Sequence, residues 1–117
     1  MREALPRLLL WAAAAFAFVM AVLPHPPRVP GDPSDKVQHI VAFVVLAGLG
    51  AWAYPRARLV RIAVALSLFG ALIELAQAIP ALHRDSDPLD WLADTVACAA
   101  VLVLVALRRA YSGWRSR

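Results

Sequence analysis

At 117 residues the chain has the length of one domain, yet 62% of it is hydrophobic and only 17% charged. Ordinary soluble domains run near half apolar and about a quarter charged, so the composition excludes a typical water-soluble fold. A formal net charge of +4 then has to be explained within a membrane rather than beside nucleic acid.

The apolar residues come in blocks. Residues 8–23 are uncharged and predict a first helix over about 5–23. Arg2 and Arg7 before an apolar core would also suit a cleaved leader, but Val22-Leu23-Pro24 lacks small residues at the cleavage positions, so the block reads as a permanent helix. A proline-rich stretch from Pro24 to Asp35 reads as an irregular loop. Residues 40–54 are uncharged, and with their polar outer turn predict a second helix over about 36–54. Pro55, Arg56 and Arg58 make a short basic turn before a third helix over about 59–79. A polar loop from Pro80 leads to a fourth helix over about 88–107. Each block reaches the ~17–25 residues that a membrane span needs, and the middles lack the polar stripe of a soluble bundle helix. The expected architecture is all-α: one domain over residues 1–117, a bundle of four transmembrane helices. Cys98 stands alone mid-block and reads as packing.

Charge sets the expected orientation. With the N-terminus in the cytoplasm, nine basic residues (Arg2, Arg7, Arg56, Arg58, Arg61, Arg108, Arg109, Arg115, Arg117) are internal and three (Arg28, Lys36, Arg84) external. That is the asymmetry of the positive-inside rule and puts both termini in the cytoplasm. The basic charge is therefore anchoring, not a nucleic-acid patch. Seven of the eight acids fall toward the opposite side, from Asp32 to Asp94. Trp52, Trp91 and Trp114 sit near span ends and read as interfacial belt residues.

Three polar groups converge on that opposite side. Asp35, Lys36 and His39 open the second helix, with Lys36, His39 and Phe43 on one face. Glu74 and Gln77 close the third. Arg84, Asp87, Asp90 and Asp94 lead into the fourth. Ionisable groups inside a span are costly and mark functional sites by default, which singles out Glu74 and Asp94. His39, Glu74 and Asp90 are the candidate general acids or bases, because burial and neighbouring charge tune proton affinity. Asp35, Lys36, Gln77, Arg84, Asp87 and Asp94 are the candidate ligand-binding residues, Arg84 and Lys36 for a phosphate or carboxylate headgroup. Competing structural roles are equally concrete: Asp35 and Asp87 as helix N-caps, His39 as a satisfied interfacial histidine, and Glu74 paired with Arg84 or Lys36 to fix helix register.

In order and spacing, Asp35-Lys36-x-x-His39-x-x-x-Phe43, Glu74-x-x-Gln77 and Arg84-x-x-Asp87-x-x-Asp90-x-x-x-Asp94 resemble the VanZ-like family, named for a protein associated with teicoplanin resistance. The resemblance covers roughly residues 30–107. This chain has Asp94 where the family usually has Asn, and Ala97 where it has a packing Gly, which implies added charge and a wider fit of the fourth helix. What the resemblance implies is a four-helix protein of the bacterial inner membrane, tied by name to glycopeptide resistance, and it supplies no mechanism.

Four functions compete. One is a binding or modifying protein for a cell-envelope lipid or glycopeptide-related molecule at the outer leaflet, enzymatic or not. A second is an accessory protein whose ion pairs fix packing and which acts through a partner. A third is a metal site from His39, Glu74, Asp90 and Asp94, although no tight zinc-type spacing is present and neither metal nor cofactor is expected on that ground. The last is transport, which would need a homo-oligomer to enclose a path.

Overall fold

The structure, a computed structural model, describes residues 2–24, 31, 34–84 and 86–117, and of Asp35 the backbone. Each apolar block is a helix: α1 (Ala4–Val22), α2 (Asp35–Ala53), α3 (Leu59–Gln77) and α4 (Pro88–Arg115), with one 3-10 turn, Pro80–Leu82, between α3 and α4. All four are long and apolar enough to cross a membrane. The first three have 19 residues each, or ~28 Å of helix at 1.5 Å per residue, close to the ~30 Å hydrocarbon thickness of a bilayer.

The fourth helix differs from expectation. It does not stop near residue 107 but runs 28 residues to Arg115. Arg108 and Arg109 mark where hydropathy falls, and arginine is a good helix former, so the backbone continues past the apolar boundary. At ~42 Å this helix is the reason the molecule measures 56 Å along its long axis.

Burial is inverted relative to a water-soluble bundle. Phe16 (68% exposed), Leu68 (66%), Leu75 (71%) and Leu104 (66%) face outward, which suits lipid and would be untenable over so much surface in water. The interior is small and tight. Phe43, Ala47 and Ala51 of α2 meet Ile62 and Ile73 of α3 and Cys98 and Leu102 of α4. A second cluster joins Leu10 to Leu46 and Ala53. Small residues allow close backbone approach, which is how helices associate where the hydrophobic effect offers no drive. At Gly50 a Cβ would lie 3.0 Å from Ile62 Cγ2, and at Gly70 3.4 Å from both Phe43 and Trp91.

The chain alternates direction, so α2 and α4 run parallel, both starting at the same end. α1 packs on α2 and α3, and α4 packs on α2 and α3. Between α3 and α4, the Ser67 and Thr95 hydroxyls lie 3.0 Å apart and Trp91 Nε1 donates to the Ser67 carbonyl at 3.0 Å. Trp91 is therefore a tie between helices as well as a residue near the boundary.

Helix C-termini leave carbonyls without intrahelical partners, a serious cost in lipid. Side chains from other elements satisfy them here. Arg7 Nε donates to Ala53 O (3.2 Å) and Arg109 to Ala51 O (3.3 Å) at the end of α2. Arg7 also lies over the Tyr54 ring at 4.7 Å, and Trp11 Nε1 donates to the Tyr54 hydroxyl at 3.0 Å. At the opposite end Gln77 Nε2 donates to Ala21 O (3.0 Å) and Arg84 to Leu23 O (3.1 Å), closing α1.

Candidate functional site

The polar residues gather where α2 and α4 begin and α3 ends. Two parallel helices at this crossing produce a ladder of contacts. Lys36 Nζ lies 3.7 Å from Asp90 Oδ1, His39 Nδ1 lies 3.5 Å from Asp94 Oδ2, and Cys98 Sγ lies 3.6 Å from Phe43 O. Steps of three or four on each helix keep all six residues on the facing surfaces. The rungs grow drier with depth. Lys36 and Asp90 side chains are 46% and 13% exposed, those of His39 and Asp94 only 12% and 2%.

These rungs differ in worth. In the Lys36–Asp90 pair the lysine is half in solvent and the carboxylate mostly buried, and at 3.7 Å the exposed partner keeps its contribution at the ~0–1 kcal/mol of a surface pair. A buried pair such as His39–Asp94 must offset the desolvation of both groups, so its presence argues for register or function more than for stability.

Glu74 joins the third helix to this ladder. Its Oε2 accepts from the Asp87 backbone N–H (2.9 Å) and from Ser86 Oγ (3.1 Å), and its own carbonyl accepts from Ser86 Oγ (3.0 Å). The side chain thus holds the start of α4 against the end of α3. Glu74 Oε1 is buried and has no hydrogen-bond partner among the described residues, and the same is true of Gln77 Oε1 and both Asp94 oxygens. An unpaired buried polar atom costs about 1–3 kcal/mol, so four such acceptors together in one region need a reason.

His39, Glu74 and Asp90 come from three different helices, and one donor atom of each lies within 4.8 Å of the others. Beside them a cavity of about 430 Å³ opens between α1 and α2. Its walls are apolar, Ala13, Phe16 and Met20 on one side and Val41 and Val45 on the other, and His39 and Arg84 also line it.

The residues singled out by sequence therefore divide. Lys36, His39, Glu74, Asp90 and Asp94 form one cluster. Gln77 is buried and bonded to α1, and Arg84 closes α1 while lining the cavity. Asp87 caps α4, accepting from Leu89 N at 3.0 Å, with Pro88 at the first helical position. The cap of α2 is Ser34, which accepts from Val37 N at 3.3 Å, and not Asp35. Asp35 falls one residue inside the helix, and the ligand-binding role expected of its side chain lies outside the described residues. Glu74 pairs with neither Lys36 nor Arg84 among the described residues; backbone and hydroxyl donors take that place. Ser86 was not singled out. The signal for it was Ser86-Asp87-Pro88, a hydroxyl just before an Asp-Pro helix start.

No known family model, curated protein or solved structure matches this chain.

Proposed function

We propose that this chain is a VanZ-like protein of the bacterial inner membrane that binds, and is placed to modify, an anionic amphiphile of the cell envelope. The observation that carries the reading is the apolar cavity of about 430 Å³ whose lining also includes His39 and Arg84. That volume is in the range of small-molecule sites. An acyl chain lies along Phe16, Met20, Val41 and Val45, while a phosphate or carboxylate head sits toward Arg84, Lys36 and the ladder. Arginine favours the bidentate grip such a head offers. The positive-inside asymmetry supports an outer-leaflet position for this end. The link to glycopeptide resistance rests on the resemblance alone.

The ladder itself favours a second reading, in which the Lys36–Asp90 and His39–Asp94 pairs fix register and a partner protein does the work. Transport draws no support: among the described residues the buried charged and amide side chains, Glu74, Gln77 and Asp94, all belong to one end.

Lipid retained by the purified protein after exchange into mixed phosphatidylglycerol and phosphatidylcholine vesicles, measured by native mass spectrometry, tests the proposal. The wild type is expected to keep the anionic lipid. Arg84→Gln loses the preference for it, and Ala42→Trp, which fills the cavity, loses both lipids. Equal retention in all three proteins overturns the reading. A fall in melting temperature for Asp90→Asn with unchanged lipid retention favours the accessory role.

A further inference from the structure

We propose that His39, Glu74 and Asp90 together bind one divalent cation of the zinc or manganese class at the junction of α2, α3 and α4, with Asp94 orienting the imidazole. The inference deepens the reading above, since such an ion offers an open position on which a phosphate oxygen can close. Three observations carry it independently of the lipid.

The first is geometry. One imidazole nitrogen and two carboxylate oxygens, each from a different helix, already stand within 4.8 Å of one another. A tetrahedral ion at ~2.1 Å from each donor holds the donors ~3.4 Å apart. The donors therefore have to close by at most about 1.4 Å on binding. Mixed nitrogen and oxygen donors suit zinc and manganese, whereas an all-oxygen set would point to magnesium or calcium.

The second is the state of Glu74. The residue is 8% exposed, its Oε2 takes two hydrogen bonds, and its Oε1 is buried with no partner. The bonds to Ser86 and Asp87 fix the carboxylate while leaving one oxygen to bind. None of the ion pairs among the described residues reaches Glu74.

The third is Asp94. It is 1% exposed and 3.5 Å from His39 Nδ1, an ion-pair distance that is not aligned as a hydrogen bond. Carboxylates that accept a hydrogen bond from the second ring nitrogen set the tautomer and tilt of metal-bound imidazoles, and Asp94 stands beside that nitrogen in His39. The extra charge of Asp94, Glu74 and Asp90 in a dry region is what a divalent ion would balance. Lys36 is no obstacle, because its ammonium, on a side chain that is 46% exposed, lies 3.7 Å from Asp90 and can turn to solvent.

The test uses the full chain purified in detergent, stripped with EDTA and dialysed, then titrated with MnCl2 followed by electron paramagnetic resonance and with ZnCl2 by calorimetry. One ion per chain is expected. Glu74→Gln and Asp90→Asn each abolish that binding, Asp94→Asn weakens it about 10- to 100-fold, and Glu3→Gln, at the other end of the bundle, leaves it unchanged. Circular dichroism confirms folding, and if Glu74→Gln fails to fold, the less buried Asp90→Asn decides. Binding that survives in both variants, or no binding by the wild type, overturns the inference. Lipid retention on the same stripped protein separates the two proposals. Retention without metal binding overturns only the ion, and metal binding without retention overturns only the lipid.

Discussion

Glu74 shows how one side chain is given two tasks. A glutamate near the end of an apolar helix is costly wherever it points. Here Oε2 meets the Ser86 hydroxyl and the Asp87 amide, so part of that cost is offset by fixing the start of the next helix. Ser86 is the partner whose removal isolates this task. Ser86→Ala is expected to lower stability by ~1 kcal/mol, the net value of a typical hydrogen bond, while leaving manganese stoichiometry at one; denaturant titration and resonance titration on one sample check both. Loss of the ion together with the stability would mean that Ser86 positions the carboxylate as well as supporting it. The spacing Glu74-x-x-Gln77 in the sequence marked both residues as out of place in lipid. It did not distinguish a cluster residue from a helix cap, because that depends on which neighbour each side chain meets. Gln77 meets the Ala21 carbonyl, and Glu74 meets α4.

At the scale of helices, packing rests on close approach. At Gly50 of α2 a Cβ would lie 3.0 Å from Ile62 Cγ2, so the α2–α3 contact at that end admits a larger side chain only if Ile62 shifts. Gly50→Leu is expected to cost about 1–3 kcal/mol by overpacking, read as a lower midpoint in detergent unfolding. The effect should be smaller when Ile62→Ala is added, because neighbouring substitutions couple. Purely additive losses would show that the crossing is looser than these distances. The arginines belong at this scale too. Sequence assigned Arg7 and Arg109 to anchoring, yet both donate to carbonyls at the end of α2, as Gln77 and Arg84 do for α1. Helices in lipid need such closures, and no linear pattern announces which distant residue will supply one.

For the molecule as a whole, two unlike ends follow from the charge distribution. One carries nine of the twelve basic residues, and among the described residues the other carries Asp35, Glu74, Asp87, Asp90 and Asp94. If the basic end is cytoplasmic, a single cysteine at Ala81→Cys, in the exposed turn after α3, reacts with a membrane-impermeant maleimide in intact cells. Ser116→Cys, exposed beyond α4, reacts only after lysis. The native Cys98 is 1% exposed and serves as the unreactive background. The reverse labelling pattern would place the cluster in the cytoplasm and remove the outer-leaflet part of the proposal.

The sequence by itself determined the four helices, their approximate spans and the collection of acids toward one end, because span length and hydropathy are local properties set by bilayer thickness. It also placed Lys36, His39 and Phe43 on one helix face and, for a helix beginning at Asp87, Asp87, Asp90 and Asp94 on another, since a helix repeats every 3.6 residues. Only the tertiary structure decided that these two faces meet in parallel, that Glu74 closes the group from a third helix, and that Gln77 and Arg84 are bonded to α1. Those outcomes depend on interhelical approach at Gly50 and Gly70 and on side-chain reach between residues up to 61 positions apart. Hydropathy carries no record of either, because in lipid every outward face is equally apolar and small residues and polar contacts choose the neighbours.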